Sequence, residues 1–220
     1  MGQASCKTCP SGYWCGLGAI KPVSCGLGAY CLNATQSATQ YLCPIGTFGG
    51  STNLKSKLEC TPCTPSHYCS TKGLANTTSG YCKEGYFCGG GSTTNMPNQN
   101  HISPLVYSLG AIVGTGEVCL SALNGTINDI CPQAHYCIKG SSSPTPCAQG
   151  TFSSRVGLNS STQCEPCSKS FYCPKQATIT PLLKCREGYF CPPGTVDPEN
   201  DPLLTCGKGH MCPLGMGLTS

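Results

Sequence analysis

The cysteines are the residues of this chain whose number and spacing could carry chemistry. The sequence has 22 cysteines in 220 residues, including three CxxC pairs: Cys6/Cys9, Cys60/Cys63 and Cys164/Cys167. Cysteine pairs at this spacing bind zinc, form structural disulfides or act as a redox couple. A zinc site needs a second matching pair and a thioredoxin-like couple needs a βαβ pattern, and neither surrounds these pairs. With only four histidines in the chain, the spacing favours structural disulfides.

The composition shows why the chain needs cross-links. Leu, Ile, Val and Phe together number 37 of 220 residues, below the ~20 % at which chains tend toward disorder. Structural disulfides persist in oxidising compartments, so we expect a secreted or cell-surface protein. Charged residues make up 10 % and the net charge is +4, which argues against nucleic-acid binding. The same composition excludes a large α/β enzyme core, and no apolar run approaches the ~20 residues of a membrane span.

The cysteines form internal repeats. Eight segments read Cys-x5-Cys, with an aromatic residue before the second Cys in all but the last, where Met211 takes that place. The segments cover residues 9–15, 25–31, 63–69, 82–88, 131–137, 167–173, 185–191 and 206–212. A separate element, CPIGTF or CAQGTF followed by a closing Cys, begins at Cys43 and at Cys147. These two elements lie 104 residues apart, and Cys63 and Cys69 recur at the same offset.

This register divides the chain into three parts. Residues 1–42 are a partial Cys-rich repeat, residues 43–146 a full repeat with a Gly-rich and apolar insert at 89–118, and residues 147–220 a second, truncated repeat. A small residue in the middle of Cys-x5-Cys lets the chain turn with positive φ, and the aromatic residue then packs on the neighbouring disulfide. Single modules gain stability by stacking. We predict small disulfide-rich repeats in an elongated rod, mostly loop with short β-hairpins and little helix.

The insert at 89–118 interrupts the repeat. Its first half reads as a flexible Gly/Ser-rich linker, and its second half is the most β-prone stretch of the chain. One hypothesis is a local hairpin that covers a face of the rod. The other is a strand edge that pairs with another chain. The candidate contact residues are Leu105, Val106, Tyr107, Leu109, Ile112 and Val113.

Residues that resemble catalytic or metal-binding groups occupy scaffold positions. His67, His135 and His210 stand two residues before the second Cys of a segment, where sibling segments carry Tyr or Phe, so we interpret them as packing residues. The acidic residues at 197, 199 and 201 suggest either a weak Ca²⁺ site or a solvated loop. No Ser/His/Asp or Cys/His arrangement is present. We therefore predict a protein that is not an enzyme and that has no cofactor or resident metal.

Four Asn-x-Ser/Thr sequons provide a second sign of secretion. They begin at Asn33, Asn76, Asn124 and Asn159, all in the longer polar connections, and we predict covalent glycans there. Ser and Thr beside proline at 141–146 fit O-glycosylation. The N-terminus has no apolar signal-peptide core. Because the pattern starts and stops within a module, we expect a fragment of a longer protein.

The tandem patterns CxxCxxGYxC, CxxGxxC and CPxGTF resemble the ephrin-receptor-like cysteine-rich repeats. These repeats occur in large surface proteins of single-celled eukaryotes, including mastigoneme proteins. The resemblance covers nearly the whole chain except 89–118, and the CPxGTF loops are also similar to tumour-necrosis-factor-receptor-type modules. The likeness implies pairing within each CPxGTF loop and cross-linking of consecutive segments. The implied disulfides are Cys43–Cys60, Cys147–Cys164, Cys63–Cys82, Cys69–Cys88, Cys167–Cys185 and Cys173–Cys191.

Three functions compete at this level. The first is a structural glycoprotein subunit of an extracellular filament or cell-surface appendage, which assembles head to tail with itself or with sibling surface proteins. The second is the ectodomain or stalk of a receptor or adhesin that binds a protein ligand, although the exposed aromatic and Arg clusters that binding hot spots favour are lacking. The third, a secreted protease inhibitor, fits the cysteine density but not the 104-residue period. We favour the first.

Overall fold

The computed structural model describes residues 6–75, 79–97 and 128–216. These residues contain no α-helix and consist mainly of turns, bends and two- or three-residue strands. The insert residues Leu105 to Val113, together with Cys119, Asn76 and Asn124, lie outside the described residues. The prediction of small disulfide-rich modules with short hairpins and little helix is confirmed.

Seven two-stranded sheets account for all the strands of the described residues, and the registers given for six of them are antiparallel. In chain order, β1 to β14 are Tyr13–Trp14, Val23–Ser24, Thr47–Phe48, Thr61–Pro62, His67–Tyr68, Gly80–Tyr81, Tyr86–Cys88, Asn128–Ile130, His135–Tyr136, Thr145–Pro146, Thr151–Phe152, Glu165–Pro166, Phe171–Tyr172 and Leu183–Lys184. Each odd-numbered strand pairs with the strand that follows it. Short 3₁₀ turns lie at Lys57–Glu59, Ser161–Gln163, Pro198–Asn200 and Pro202–Leu204.

The repeating element is a coil that starts at a half-cystine and turns sharply three residues later. The described residues contain ten such coils, numbered 1 to 10 by their first half-cystines: Cys9, Cys25, Cys43, Cys63, Cys82, Cys131, Cys147, Cys167, Cys185 and Cys206. The third residue after each of these half-cystines has positive φ. These residues are Gly12, Gly28, Gly46, Ser66, Gly85, Ala134, Gly150, Ser170, Gly188 and Gly209. The left-handed turn is therefore a property of the repeat, and glycine is its commonest but not its obligatory occupant.

Coils 3 and 7 are variants of the same coil. They begin at Cys43 and Cys147, and they have the same left-handed turn as the others. At the sixth position after the first half-cystine, where the other coils carry their second half-cystine, coil 3 has Gly49 and coil 7 has Ser153. Their first half-cystines bond instead to a cysteine 17 positions on. The CPxGTF element, which the sequence suggested to be separate, is thus one form of a single repeat.

Ten disulfides cross-link the described residues, one for each coil. Eight join cysteines six positions apart: Cys9–Cys15, Cys25–Cys31, Cys63–Cys69, Cys82–Cys88, Cys131–Cys137, Cys167–Cys173, Cys185–Cys191 and Cys206–Cys212. Cys43–Cys60 and Cys147–Cys164 are the two longer bonds, in agreement with the pairing that the family resemblance implied. Cys6 is exposed and free.

The cross-links implied between consecutive segments were wrong. Cys63–Cys82, Cys69–Cys88, Cys167–Cys185 and Cys173–Cys191 do not form, because each of these cysteines bonds within its own coil. The physical reason is the left-handed turn. It folds the five intervening residues back, so that the two Cα atoms of Cys63 and Cys69 lie 5.8 Å apart, within the range that a disulfide spans.

The disulfides are also the hydrophobic core. Seventeen half-cystines are buried, against six buried side chains of other hydrophobic types: Ala29, Leu54, Phe87, Ala134, Leu158 and Tyr172. The core is divided into small clusters, each built on one disulfide. Disulfide bonds thus stabilise a chain that has few strong core-forming residues, and each contributes roughly 2–4 kcal/mol.

The chain forms two compact units. Unit 1 comprises Met1–Cys82 and Cys88–Asp129, and unit 2 comprises Lys83–Phe87 and Ile130–Ser220. Coils 1 to 4 belong wholly to unit 1 and coils 6 to 10 to unit 2. Coil 5 contributes its two half-cystines to unit 1 and the residues between them to unit 2. Each unit is a series of coils in which each coil contacts the next.

Candidate functional site

The most regular feature of each unit is a pair of backbone hydrogen bonds between successive coils. The amide of the left-handed residue donates to the carbonyl at the sixth position of the next coil, at 2.8–2.9 Å. In unit 1 these bonds are Gly12–Cys31, Gly28–Gly49, Gly46–Cys69 and Ser66–Cys88. In unit 2 they are Gly85–Cys137, Ala134–Ser153, Gly150–Cys173, Ser170–Cys191 and Gly188–Cys212. The carbonyl of each left-handed residue accepts a return bond from the amide of the next coil's first half-cystine, at 2.7–2.9 Å.

The two bonds of each pair join backbone atoms only. Gly28 makes its pair of bonds with Gly49 and Cys43, and Ala134 makes the same pair with Ser153 and Cys147. The geometry is therefore independent of whether the sixth residue is a cysteine. Any coil with the left-handed turn presents the same donor and acceptor to its neighbour, which makes the contact generic within the repeat.

Aromatic side chains provide the apolar part of the contact. Trp14 in coil 1 packs against the cluster that holds the Cys25–Cys31 disulfide of coil 2. Tyr136 in coil 6 packs in the same way against the cluster of Cys147, Leu158 and Cys164 in coil 7. The expectation that the aromatic residue packs on a neighbouring disulfide is confirmed for these pairs. The disulfide it packs on is that of the following coil.

Three histidine side chains form hydrogen bonds with the backbone of their own coils. The ring Nδ1 atoms of His67, His135 and His210 lie 3.0, 2.8 and 3.2 Å from the carbonyl oxygens two residues earlier. Since a carbonyl oxygen only accepts, Nδ1 carries the proton in each ring. The His67 ring also packs on Tyr81, with the ring centroids 4.4 Å apart. The three rings belong to different coils, and the described residues contain no group of His, Cys, Asp or Glu arranged to hold a metal ion.

The acidic residues 197–201 cap two short 3₁₀ turns. Asp197 Oδ1 accepts the amide of Glu199 at 3.1 Å, and Asp201 Oδ1 accepts the amide of Leu203 at 3.0 Å. Glu199 forms an ion pair with Arg186. Of the two hypotheses for this segment, a Ca²⁺ site and a solvated loop, the geometry favours a capped loop, because the described residues include no group of carboxylates arranged to hold a metal ion.

Arg186 ties coil 9 to coil 8. Its Nε donates to the hydroxyl of Tyr172 at 3.1 Å, and its guanidinium carbon lies 5.6 Å from the centre of the Tyr172 ring. The hydrogen bond to Tyr172 and the ion pair with Glu199 raise the pKa of the guanidinium above its ordinary value. Tyr172 belongs to coil 8 and Glu199 to the 3₁₀ turn that follows coil 9, so Arg186 joins these two elements and has a structural role.

A pocket of about 360 Å³ opens beside the capped turns of coil 9. Its walls comprise Pro192, Pro193, Gly194, Thr195, Val196, Asp197, Asn200, Asp201 and Leu204. The sequence patterns gave no indication of it, because it depends on how the two 3₁₀ turns fold back. The run Asp-Pro-Glu-Asn-Asp-Pro at 197–202 predicts the two capped, proline-led turns but not the pocket beside them.

Two of the four predicted glycosylation sites lie among the described residues, and both asparagines are exposed. Asn33 Oδ1 accepts the amide of Ser11 at 2.9 Å, which leaves Nδ2, the atom that a glycan would modify, directed away from that bond. Thr35, the hydroxyl residue of the same sequon, is 1 % exposed and bonds to the carbonyl of Leu32. The Asn159 sequon lies at a 3₁₀ turn, Ser161–Gln163. Glycosylation of these residues stays a prediction.

Comparison of the sequence with protein-family models and with curated proteins gives no match. Among the described residues no helix has the length and apolarity that crossing a bilayer requires. What the fold defines is a class: a disulfide-rich repeat protein with ten coils in its described residues, of a kind that is stable in an oxidising compartment.

Proposed function

We propose that this chain is a structural glycoprotein subunit of an extracellular filament or cell-surface appendage, and that it assembles head to tail. The observation that carries the proposal is the repeated pair of backbone hydrogen bonds between successive coils. Since these paired hydrogen bonds are made by backbone atoms alone, the same pair can form wherever two such coils meet, whether in one chain or in two copies. Heterologous contacts of this type generate open filaments when the rotation between copies does not close a ring.

The composition of the surface supports the same proposal. Each coil is held by its own disulfide, so the array resists unfolding and proteolysis outside the cell without needing a large core. Exposed asparagines in the loops, such as Asn33 and Asn159, provide places for glycans that keep a weakly charged protein in solution. These properties suit a load-transmitting or coating role more than the binding of a small ligand. The likeness to ephrin-receptor-like repeats, including those of mastigoneme proteins, points in the same direction.

The insert remains our candidate for an additional contact. Its apolar part, 102–118, has the strongest β-forming sequence of the chain, and an unpaired β edge readily adds a strand from another molecule. Removal of 102–118 is expected to weaken assembly without loss of the ten disulfides. Peptide mapping of the deleted protein checks the disulfides, and sedimentation checks the assembly.

Direct imaging of the secreted protein, purified without reducing agent, tests the proposal. Filaments with an axial repeat set by the coil array are the expected result, and reduced and alkylated protein is the control that should form none. Dispersed monomers at all concentrations would favour the other candidate, a receptor or adhesin ectodomain that binds a protein ligand.

A further inference from the structure

The loop between β1 and β2 presents two apolar side chains entirely to solvent. Leu17 and Ile20 have relative exposures of 109 % and 97 %, the highest among the large hydrophobic residues of the described chain. The amide of Ala19 donates to the carbonyl of Gly16 at 3.1 Å, and Gly18 has a φ of 72°, so the loop is a tight turn. Full exposure of two such side chains costs hydrophobic free energy that burial against another surface would recover.

The tip of this loop, Leu17–Lys21, also carries a positive charge. Residues 16–22 contain Lys21 and no acidic residue, and Lys21 is exposed. A binding surface for the tip should therefore combine an apolar hollow with negative charge at its rim. A membrane surface would also suit apolar residues beside a lysine, but the structure holds a matching protein surface.

The pocket of coil 9 has these properties. Pro192, Pro193, Val196 and Leu204 supply its apolar walls, and the carboxylates of Asp197 and Asp201 belong to its lining. Its volume of about 360 Å³ falls within the ~300–1,000 Å³ of sites that hold small groups. Of the three acidic residues in 192–204, Glu199 is paired with Arg186 and lies outside the pocket lining, so Asp197 and Asp201 supply the negative charge of the pocket. Each carboxylate oxygen that caps a turn can still accept a further hydrogen bond from a lysine.

We propose that the Leu17–Lys21 tip of one copy docks in the coil 9 pocket of a second copy, with Leu17 or Ile20 in the apolar hollow and Lys21 beside Asp197 and Asp201. The contact is heterologous, because the tip lies in unit 1 and the pocket in unit 2. Each copy then offers one tip and one pocket, so copies can join in an open series where the rotation between them does not close a ring. This inference rests on the proposed filament function and names the surfaces that join successive copies.

Two variants separate the halves of the contact. The tip variant carries Leu17→Ser and Ile20→Ser, and its matched control is Leu58→Ser, which removes another exposed apolar side chain (76 % exposed) of the same unit. The pocket variant carries Val196→Lys, which puts a long cationic side chain into the acidic hollow, and its control is Val196→Thr. In a further variant, Asp197→Asn with Asp201→Asn, both turn caps are kept and both charges are removed.

Sedimentation velocity on purified, unreduced proteins gives the test. Wild type and both controls should form species larger than the monomer, whose mass is the 22.8 kDa of the polypeptide plus any attached glycan, while the tip variant alone and the pocket variant alone should stay monomeric. An equimolar mixture of the two variants should form a dimer and nothing larger, because only one intact tip and one intact pocket meet. The double Asn variant should assemble at least ten-fold more weakly and lose the salt dependence of wild type.

Other outcomes overturn the inference in distinguishable ways. If both variants assemble like wild type, this contact is wrong and the filament proposal stands. A mixture that stays monomeric, or that polymerises, contradicts a heterologous tip-in-pocket contact even if the single variants behave as expected. Wild-type protein that remains monomeric at every concentration overturns both the contact and the proposed function. Peptide mapping of the ten disulfides shows that each variant has folded.

Discussion

A Cβ atom placed on Gly28 would lie 2.2 Å from the carbonyl oxygen of Gly73 and 2.8 Å from its carbonyl carbon. Gly73 is itself in a left-handed conformation, and its amide donates to the carbonyl of Cys43. Backbone of coil 4 therefore passes directly over the turn of coil 2, and neither side can retreat without breaking bonds. The site excludes every side chain, not only those that disfavour positive φ.

Gly28→Ala should consequently destabilise unit 1 far more than a left-handed turn alone explains. The conformational cost of alanine at positive φ is about 1–2 kcal/mol, and the overlap adds about 1–3 kcal/mol or more. Trp14 packs beside the Cys25–Cys31 disulfide of this coil, so its fluorescence during urea unfolding reports the change locally.

Gly18→Ala is the matched control for that experiment. Gly18 has a φ of 72°, close to the 76° of Gly28, and a Cβ there would meet nothing within 4 Å. The control isolates the conformational cost, since it adds the same methyl group without the overlap. Equal urea midpoints for the two variants would show that coil 4 does not press on coil 2 as described.

Disulfide mapping distinguishes pairing within coils from pairing between them. Trypsin cleavage after Lys57, Lys72 and Lys83 separates a peptide 58–72, which carries three half-cystines, from a peptide 73–83, which carries Cys82. Since Cys63 bonds to Cys69, the 58–72 peptide should be linked only through Cys60. Unreduced protein is alkylated first, which also labels the exposed thiol of Cys6. Detection of a disulfide between peptides 58–72 and 73–83 would contradict pairing within coils and support the pairing between segments.

The sequence predicted the coil but not its connectivity. The Cys-x5-Cys spacing, the small residue in the middle and the aromatic residue before the second Cys are local features, and the structure has all three. Which cysteines bond is decided by the left-handed residue. Its φ brings Cα atoms six positions apart to within disulfide distance, while the link between coils is made by backbone atoms that no sequence pattern displays. Spacing alone leaves many pairings open.

The sequence could also have shown that the CPxGTF element and the Cys-x5-Cys segments are forms of one repeat. Cys9-Pro-Ser-Gly12 and Cys43-Pro-Ile-Gly46 share their spacing, which would have shown the CPxGTF loop to be a coil that lacks its second half-cystine. The pocket of coil 9 and the solvent exposure of Leu17 were beyond such a pattern. Both depend on the tertiary structure, because the local sequence around a leucine in a Gly-rich loop does not show whether its side chain is packed or exposed.

The disulfides should differ in how fast they are reduced, because they differ in burial. Cys25 and Cys31 are 0 % exposed, whereas Cys206 and Cys212 are partly exposed, and both pairs close a loop of the same length. Attack by an external thiolate needs access to a sulfur atom. Local opening that costs about 1.4 kcal/mol slows the reaction ~10-fold, so Cys206–Cys212 should react at least ten-fold faster.

Timed reduction followed by alkylation and peptide mapping measures that order. The comparison is made in native buffer and again in urea, where the burial difference disappears and the two rates should converge. A Cys25–Cys31 bond that opens first in native buffer would contradict the buried core.

Glycan occupancy at Asn33 provides the last prediction. The Asn33 side chain is exposed, and its Oδ1 is held by the amide of Ser11, so the modified Nδ2 can carry a glycan in the folded coil. Thr35→Ser keeps both the sequon and a hydroxyl that reaches the carbonyl of Leu32, and it should remain glycosylated with little loss of stability. Thr35→Val removes the sequon and one of the two donors to the Leu32 carbonyl, which keeps the backbone amide of residue 35 as a partner, so the loss of one hydrogen bond should cost about 0.5–1.5 kcal/mol. Mass spectrometry of secreted protein before and after glycan release checks both variants, with Asn159→Gln as a control that leaves Asn33 unchanged. Bare asparagines at all four sequons in native material would argue against secretion through a glycosylating pathway.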